Sequence, residues 1–139
     1  MAITLTVKSI AKPNIISLDK TRSVKEGAEL MVKNNIGSLM ITESGKYVGI
    51  VTERDILRKV VASASFPPTT KLGDVMSSPL ITIDAGAGLG EASSLMVEKR
   101  IRRLLVKEDG KVIGLFTQRD LQDKILEVFR SLRESQSLM

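Results

Sequence analysis

The feature that most constrains the fold of this chain is a stretch of sequence that occurs twice. "GKYVGIVTERD" at 45–55 falls on "GKVIGLFTQRD" at 110–120 when the chain is shifted by 65 residues, and six of the positions are identical. Upstream, Asp19 falls on Asp84 with the same shift. Because the match extends well beyond the motif, we predict one structural unit present in two copies.

Each copy has the hydrophobic pattern of a β-α-β-β-α unit. The β-branched runs at 15–18 and 80–83 predict a first strand, and a Ser-x-x-Glu signature at Ser23 predicts a helix start. Continuous apolar runs at 38–42 and 103–107 predict buried second strands, which glycine-containing turns connect to the third strands. A second helix closes each copy. We therefore predict an α/β fold of the α+β type, built from two β-α-β-β-α repeats.

The repeat also predicts how the chain is divided. A copy of about 60 residues buries too little apolar surface to be stable alone, so we expect the copies to pack through their sheets with pseudo-two-fold symmetry. A stretch rich in Pro and small polar residues separates them. The predicted boundaries are a single module over 1–139, with repeat one at 8–63, a linker at 64–71, repeat two at 72–133, and a tail, expected to fray, at 134–139.

Composition excludes most catalytic and metal-binding chemistry. The chain has no Cys and no His, which removes thiol nucleophiles, imidazole bases and the usual zinc ligands. We therefore predict that the protein is not an enzyme and has neither catalytic residues nor a metal site. The N-terminus lacks a signal-peptide pattern, and no apolar run approaches the roughly 18 residues of a membrane span. These features predict a cytoplasmic protein without membrane binding, and the net charge of +5 favours anionic partners.

A hydroxyl and a carboxylate stand three residues apart at the end of each copy. Thr52 and Asp55, like Thr117 and Asp120, have the spacing of a helix N-cap and the acid that completes a capping box. Taken singly, either pair can be explained by capping alone.

Capping does not explain the glycine that precedes each Thr by three residues. Gly49 and Gly114 lie inside predicted strands, where Gly weakens the element unless something approaches the backbone closely. A hydroxyl, a carboxylate and a helix N-terminus beside bare backbone would suit a ribose and its phosphate. The motif therefore predicts a nucleotide-like ligand as the alternative to capping alone.

The pattern G-x-x-T-x-x-D at the end of a β-α-β-β-α unit, written twice, resembles the cystathionine-β-synthase (CBS) domain pair, or Bateman module, over residues 8–130. In that family two repeats form a disc whose clefts bind adenosine-containing ligands. The resemblance implies a stand-alone regulatory module that binds AMP, ADP, ATP or S-adenosylmethionine in clefts between the repeats and requires no cofactor. It also implies a homodimer that signals to an effector protein in trans.

The resemblance assigns the ligand-binding residues by position in the motif. Asp55 and Asp120 would hold the ribose hydroxyls, and Thr52 and Thr117 would lie by the phosphates. The residues implied beside the adenine are Ile15, Ile16, Leu80 and Ile81, and those implied on the phosphate side are Gly37, Ser38, Arg102 and Arg103.

Only the second repeat carries a basic pair on the phosphate side. Arg102 and Arg103 match Gly37 and Ser38 of the first repeat, so two equal polyphosphate sites are not expected. Family geometry places the Asp55 motif across from the arginines, which predicts that Asp55 matters more for phosphorylated ligands. The alternative function is nucleic-acid binding, motivated by the pI of about 9.6, although the chain lacks aromatic stacking platforms.

Overall fold

The computed structural model of the chain describes residues 5–78 and 80–137. The ends of the predicted module, at 1–4 and 138–139, lie outside these residues. In chain order the elements are α1 (Val7–Ile10), β1 (Ser17–Asp19), α2 (Val24–Asn34), β2 (Ser38–Glu43), β3 (Lys46–Thr52), α3 (Glu53–Ile56), a π-helical segment (Leu57–Val61), α4 (Leu72–Val75), β4 (Thr82–Asp84), α5 (Leu89–Lys99), β5 (Arg103–Glu108), β6 (Lys111–Thr117) and α6 (Gln118–Ser137).

The chain divides into two compact units. The first-repeat unit comprises residues 15–80, and the second-repeat unit joins the described residues up to 14 with those from 81 onward. Each unit has its own hydrophobic core, centred on Leu39 and Val51 in the first and on Leu104 and Phe116 in the second. Each also contains one three-stranded sheet, β1-β2-β3 or β4-β5-β6. The predicted α+β class and the two β-α-β-β-α repeats are confirmed.

The sheets of the two units have the same pairing. β1 runs parallel to β2 with Ser17 opposite Met40, and β4 runs parallel to β5 with Thr82 opposite Leu105. The second and third strands of each sheet are antiparallel. The first strands begin two residues later than the predicted starts at 15 and 80, because regular pairing with the second strand begins only there.

Tight hairpin turns set the register of the antiparallel strands. Ser44 and Gly45 both have positive φ angles, 52° and 77°, and Asp109 and Gly110 repeat these values. Two successive residues with positive φ form the turn whose twist matches that of the flanking strands. The turns predicted from their glycines are therefore present in both units.

The first long helix of the first repeat begins where its sequence predicts. The Ser23 hydroxyl accepts a hydrogen bond from the Glu26 amide at 3.1 Å, so the Ser half of the capping box is formed. The Glu26 carboxylate accepts from Arg22, and this hydrogen bond lowers the pKa of Glu26. Val24 and Met31 lie on the buried face of the helix.

The role of the segments that precede the first strands was not predicted from the sequence. Val7 of α1 is fully buried in the core of the second-repeat unit, and Leu72 of α4 is fully buried in the core of the first-repeat unit. Each core is thus completed by a segment from outside its own β-α-β-β-α run. The compact units therefore differ from the sequence repeats at 8–63 and 72–133.

The C-terminal end also differs from the expectation. α6 is a 20-residue helix that continues to Ser137. Residues 134–137 of the predicted fraying tail are therefore helical.

Candidate functional site

Each unit buries one carboxylate at the end of its third strand. Asp55 and Asp120 are the only buried charged or polar residues in the part of the chain that the structure describes, with exposures of 9% and 5%. Burying a charge is unfavourable unless partners satisfy it. The groups around these two acids therefore define the candidate site.

In the first-repeat unit, Thr52 and Asp55 form a reciprocal capping box. The Asp55 amide donates to the Thr52 hydroxyl at 3.2 Å, and the Thr52 amide donates to Asp55 Oδ2 at 2.9 Å. The Thr52 hydroxyl also lies 3.1 Å from the same oxygen. The predicted capping role of this pair is confirmed.

The second-repeat unit repeats the two backbone contacts. The Asp120 amide donates to the Thr117 hydroxyl at 3.2 Å, and the Thr117 amide donates to Asp120 Oδ2 at 2.9 Å. In both units one carboxylate oxygen is therefore engaged in starting the helix, and the other oxygen, Oδ1, faces away from the cap.

The partners of the Oδ1 atoms were not predicted from the motif. The Ser77 hydroxyl donates to Asp55 Oδ1 at 3.1 Å, and the Lys59 ammonium lies 3.4 Å from the same atom. At Asp120, the Lys12 ammonium lies 3.6 Å from Oδ1. Lys12 and Ser77 are themselves 65 residues apart, so the repeat spacing carried a signal that could have found them.

The segments that complete the two cores place Ser77 beside Asp55 and Lys12 beside Asp120. Ser77 exchanges two backbone hydrogen bonds with Ile50 of β3, at 2.8 and 3.0 Å, and Lys12 exchanges two with Leu115 of β6, at 2.9 and 3.0 Å. Each segment thus adds a single bridge along the third strand of its unit. The backbone at positions 12 and 77 is fixed beside the motif in the same way.

These segments also explain the glycines inside the third strands. A Cβ built on Gly49 would overlap the Met76 sulfur, and one built on Gly114 would lie 3.0 Å from the Lys12 carbonyl oxygen. The close approach that the glycines predict is present, but the approaching group is the chain itself. The glycines therefore do not by themselves point to a ligand.

The residues predicted on the phosphate side lie next to the motif of their own unit. Ser38 stands opposite Thr52 in the β2–β3 pair, and Arg103 stands opposite Thr117 in the β5–β6 pair. The Gly37 carbonyl accepts from the Glu53 amide at 3.1 Å, and the Arg102 carbonyl accepts from the Gln118 amide at 2.8 Å. The start of the second strand and the end of the third strand therefore meet in each unit.

The predicted adenine-side residues reach the same end of the sheet in part. The Ile16 carbonyl accepts from the Met40 amide, and the Ile81 carbonyl accepts from the Leu105 amide. Ile15 is half-buried and precedes Ile16. The corresponding Leu80 is also half-buried, but it belongs to the first-repeat unit and not to the unit that contains Ile81.

Comparison with known families shows which domains the chain contains. The model of the CBS domain matches residues 7–62 and again residues 72–127. The chain belongs to the CBS-domain family. The resemblance drawn from the duplicated motif is therefore confirmed, and the match is to a domain family and not to a family of enzymes.

The individual relatives of this CBS-domain chain agree with that assignment. It is 38% identical over 119 residues to the uncharacterized protein MK0525 of Methanopyrus kandleri, covering 84% of this chain and 61% of the relative's length. The crystal structure of the CBS domain NE2398 superposes with a TM-score of 0.82 at 30% identity, covering 89% of this chain and 99% of that one. A hexameric CBS-CP12 protein from bloom-forming cyanobacteria gives 0.79 at 25% identity, covering 87% and 68%.

Two further properties of the CBS pair concern metal ions and membranes. Within residues 5–78 and 80–137 no group of three or more acidic side chains could hold a metal ion. Over the same residues, every helix is too short or too polar to cross a bilayer. What each motif presents is a carboxylate, a Thr hydroxyl and small or basic residues, which together suit a hydroxyl-bearing small molecule.

Proposed function

We propose that this tandem CBS module is regulatory, that it binds an adenosine-containing ligand at its motifs, and that it signals to a partner protein in trans. The candidate ligands are AMP, ADP, ATP and S-adenosylmethionine. Membership of the CBS family and the presence of two matched domains support the coarser part, a tandem CBS module. The identity of the ligand and the signalling role are the proposal.

The observation that carries the proposal is the same buried carboxylate in both units. A helix start can be capped by neutral Ser, Thr or Asn side chains, and a buried charge is not needed for that purpose. Asp55 and Asp120 nevertheless keep their Oδ1 atoms away from the cap. A carboxylate oxygen in this position can accept from the vicinal hydroxyls of a ribose.

The neighbouring residues fit the rest of such a ligand. In the first-repeat unit Ile15 and Ile16 offer apolar surface for a base, and Ser38 offers a small polar contact beside Thr52. In the second-repeat unit the corresponding polar position is the basic Arg103, which suits a phosphate. We propose these roles for each motif within its own unit.

The test is a panel of ligands measured by thermal unfolding and calorimetry, with AMP, ADP, ATP, S-adenosylmethionine and adenosine against guanosine monophosphate as the control. At a hundredfold excess over its dissociation constant, a ligand should raise the free energy of unfolding by about 2.7 kcal/mol. The proposal is wrong if no adenine compound shifts the melting temperature at millimolar concentration. A salt-sensitive shift of labelled DNA or RNA that AMP does not affect would support nucleic-acid binding instead.

We also propose that the module forms a homodimer. One CBS neighbour is described as hexameric, and each unit exposes a Val at the same position of its long helix, Val32 at 82% and Val97 at 76%. Exposed apolar positions that recur in both repeats suit a partner with the same repeats. Light scattering should give twice the chain mass, and the Val32→Glu/Val97→Glu double variant should be monomeric. A monomeric unmodified protein at high concentration would contradict this part.

A further inference from the structure

We propose that the two motifs are unequal, with the tighter adenosine site at Asp120 and with Lys12 selecting an anionic ligand there. This inference rests on the proposed adenosine binding and specifies which carboxylate serves it. It reverses the order that the family resemblance implies, in which Asp55 matters more for phosphorylated ligands. The argument depends on what already occupies each carboxylate.

The Asp55 carboxylate has a full set of donors from its own unit. It accepts from the Thr52 amide and hydroxyl on Oδ2, and it meets the Ser77 hydroxyl and the Lys59 ammonium on Oδ1. A carboxylate offers about four acceptor sites. A ribose that approaches Asp55 must therefore displace a hydrogen bond that the protein already makes.

Lys59 cannot move aside without losing a hydrogen bond, because its ammonium also has a second partner. Its ammonium donates to the Val75 carbonyl at 3.0 Å, which connects the π-helical segment to the end of α4. The residue at the corresponding place in the second repeat, Lys124, pairs with Glu127 at 3.3 Å. In the second repeat, the lysine that corresponds to Lys59 therefore pairs with Glu127.

The Asp120 carboxylate is less occupied. The Thr117 amide donates to Oδ2, and the Lys12 ammonium lies near Oδ1. The Lys12 distance of 3.6 Å is longer than a hydrogen bond, and its side chain is 74% exposed. Lys12 is exposed to water and contacts the buried Asp120 only at this long distance, so we expect it to leave Asp120 at a smaller cost than a directly hydrogen-bonded donor would.

The displacement of Lys12 explains the preference for an anion. When ligand hydroxyls donate to Asp120 Oδ1, the Lys12 ammonium loses its partner. The Lys12 backbone stays fixed, because it is hydrogen-bonded to Leu115. A ligand phosphate supplies a new partner to that ammonium, whereas an uncharged nucleoside does not. In the first repeat the equivalent residue is the neutral Ser77, which cannot provide this selection.

The experiment is calorimetric titration of AMP and adenosine into the full chain and into four variants. Lys12→Met should weaken AMP binding about tenfold and leave adenosine within about twofold, since only AMP carries the phosphate charge. Lys8→Met is the matched control, because it removes an exposed Lys of the same unit that pairs with Glu108 and not with Asp120. It should change neither affinity.

The remaining variants compare the two acids directly. Asp120→Asn should weaken the tighter AMP binding by ten- to hundredfold, because the amide loses a charge-assisted acceptor, while Asp55→Asn should change it by less than about threefold. The inference is overturned if Asp55→Asn has the larger effect, if both acids matter equally, or if Lys12→Met weakens AMP and adenosine alike. If Asp120→Asn loses its cooperative thermal transition, the exposed Lys12 variant decides alone.

The outcomes separate this inference from the proposed function. An unmodified protein that binds neither AMP nor adenosine at millimolar concentration overturns both. An unmodified protein that binds AMP but depends on Asp55 supports the proposed function and overturns only the inference about Asp120 and Lys12.

Discussion

The helix that follows the first strand begins differently in the two units. In the first-repeat unit the Ser23 hydroxyl caps α2, whereas in the second-repeat unit the N-cap residue of α5 is Gly88, which has no side chain to cap the helix. Both helices nevertheless have 11 residues and end with a left-handed residue, Asn35 or Arg100. The comparison teaches that tertiary packing keeps the helix in place where the local signal is missing.

The helices that close the two units differ more strongly. α3 has four residues and continues as a π-helical segment, whereas α6 has 20 residues in regular α-helix. π-Helical turns are uncommon and often occur at functional positions. Here Lys59 of the π-helical segment contacts Asp55, whereas Lys124 of the regular helix in the second-repeat unit contacts Glu127. The same motif therefore has different electrostatic surroundings in the two units.

The largest expected effect tests whether each unit depends on the segment that completes it. Leu72→Ala should lower the free energy of unfolding by about 2–5 kcal/mol, because it leaves a cavity in a fully buried site. Val7→Ala should have a smaller effect, since fewer carbons are removed. Hydrogen exchange should show loss of protection in β2 and β3 for Leu72→Ala, and in β5 and β6 for Val7→Ala. The opposite pattern would contradict the assignment of the segments.

A second pair of substitutions tests the two acids through stability. Asp55→Asn should cost about 1–3 kcal/mol, because the Ser77 hydroxyl and the Lys59 ammonium lose an ionised acceptor. Asp120→Asn should cost about 1 kcal/mol or less, since Asn still caps and the exposed Lys12 ammonium remains hydrated when it loses the carboxylate. Urea unfolding measures both. Equal costs would mean that the additional donors at Asp55 contribute nothing.

The glycines of the third strands distinguish a side-chain obstacle from a backbone one. Gly49→Ala should cost about 1–3 kcal/mol by overpacking against Met76, and adding Met76→Ala should make the Gly49 substitution less costly. At Gly114 the close group is the Lys12 carbonyl oxygen, so no side-chain truncation should relieve Gly114→Ala. Thermal unfolding of the single and double variants checks this, and additive costs at Gly49 and Met76 would refute the explanation.

The smallest expected effect concerns the helix starts. Ser23→Ala should lower the free energy of unfolding by about 1 kcal/mol, because the Glu26 amide loses its acceptor. Gly88→Ser should raise the free energy of unfolding by roughly a few tenths of 1 kcal/mol, since the Ser hydroxyl supplies the cap that α5 lacks. Urea midpoints measured at constant m-value would show both changes. A stabilising Ser23→Ala would show that the cap is not formed in solution.

Much of the fold could be predicted because its signals are local. The hairpin turns depend on adjacent residues such as Asp109 and Gly110, and the capping boxes depend on residues three apart such as Thr52 and Asp55. The alternation of apolar runs predicted the strands. The starts of the first strands were less accurate, because pairing with a distant strand decides where a short strand becomes regular.

The candidate site was predictable only in part. Ser38 and Arg103 lie beside the motif Thr of their own unit, because antiparallel register places them side by side. Ser77, Lys59 and Lys12 were missed, because nothing in the G-x-x-T-x-x-D pattern refers to them. The glycines were also interpreted incompletely, since a glycine within a strand indicates that another group packs closely against the backbone but does not identify that group.

By itself the sequence determined the duplication, the order of the elements, the turns and the helix starts, because these depend on contacts within a few residues or on a match between two stretches of sequence. Only the tertiary structure decided which segment completes each core and what surrounds each buried acid. Those contacts join residues far apart in the chain, such as Ser77 with Asp55 and Lys12 with Asp120. Local periodicity has no information about such pairs, because their proximity follows from where the whole chain places the first segment of each repeat.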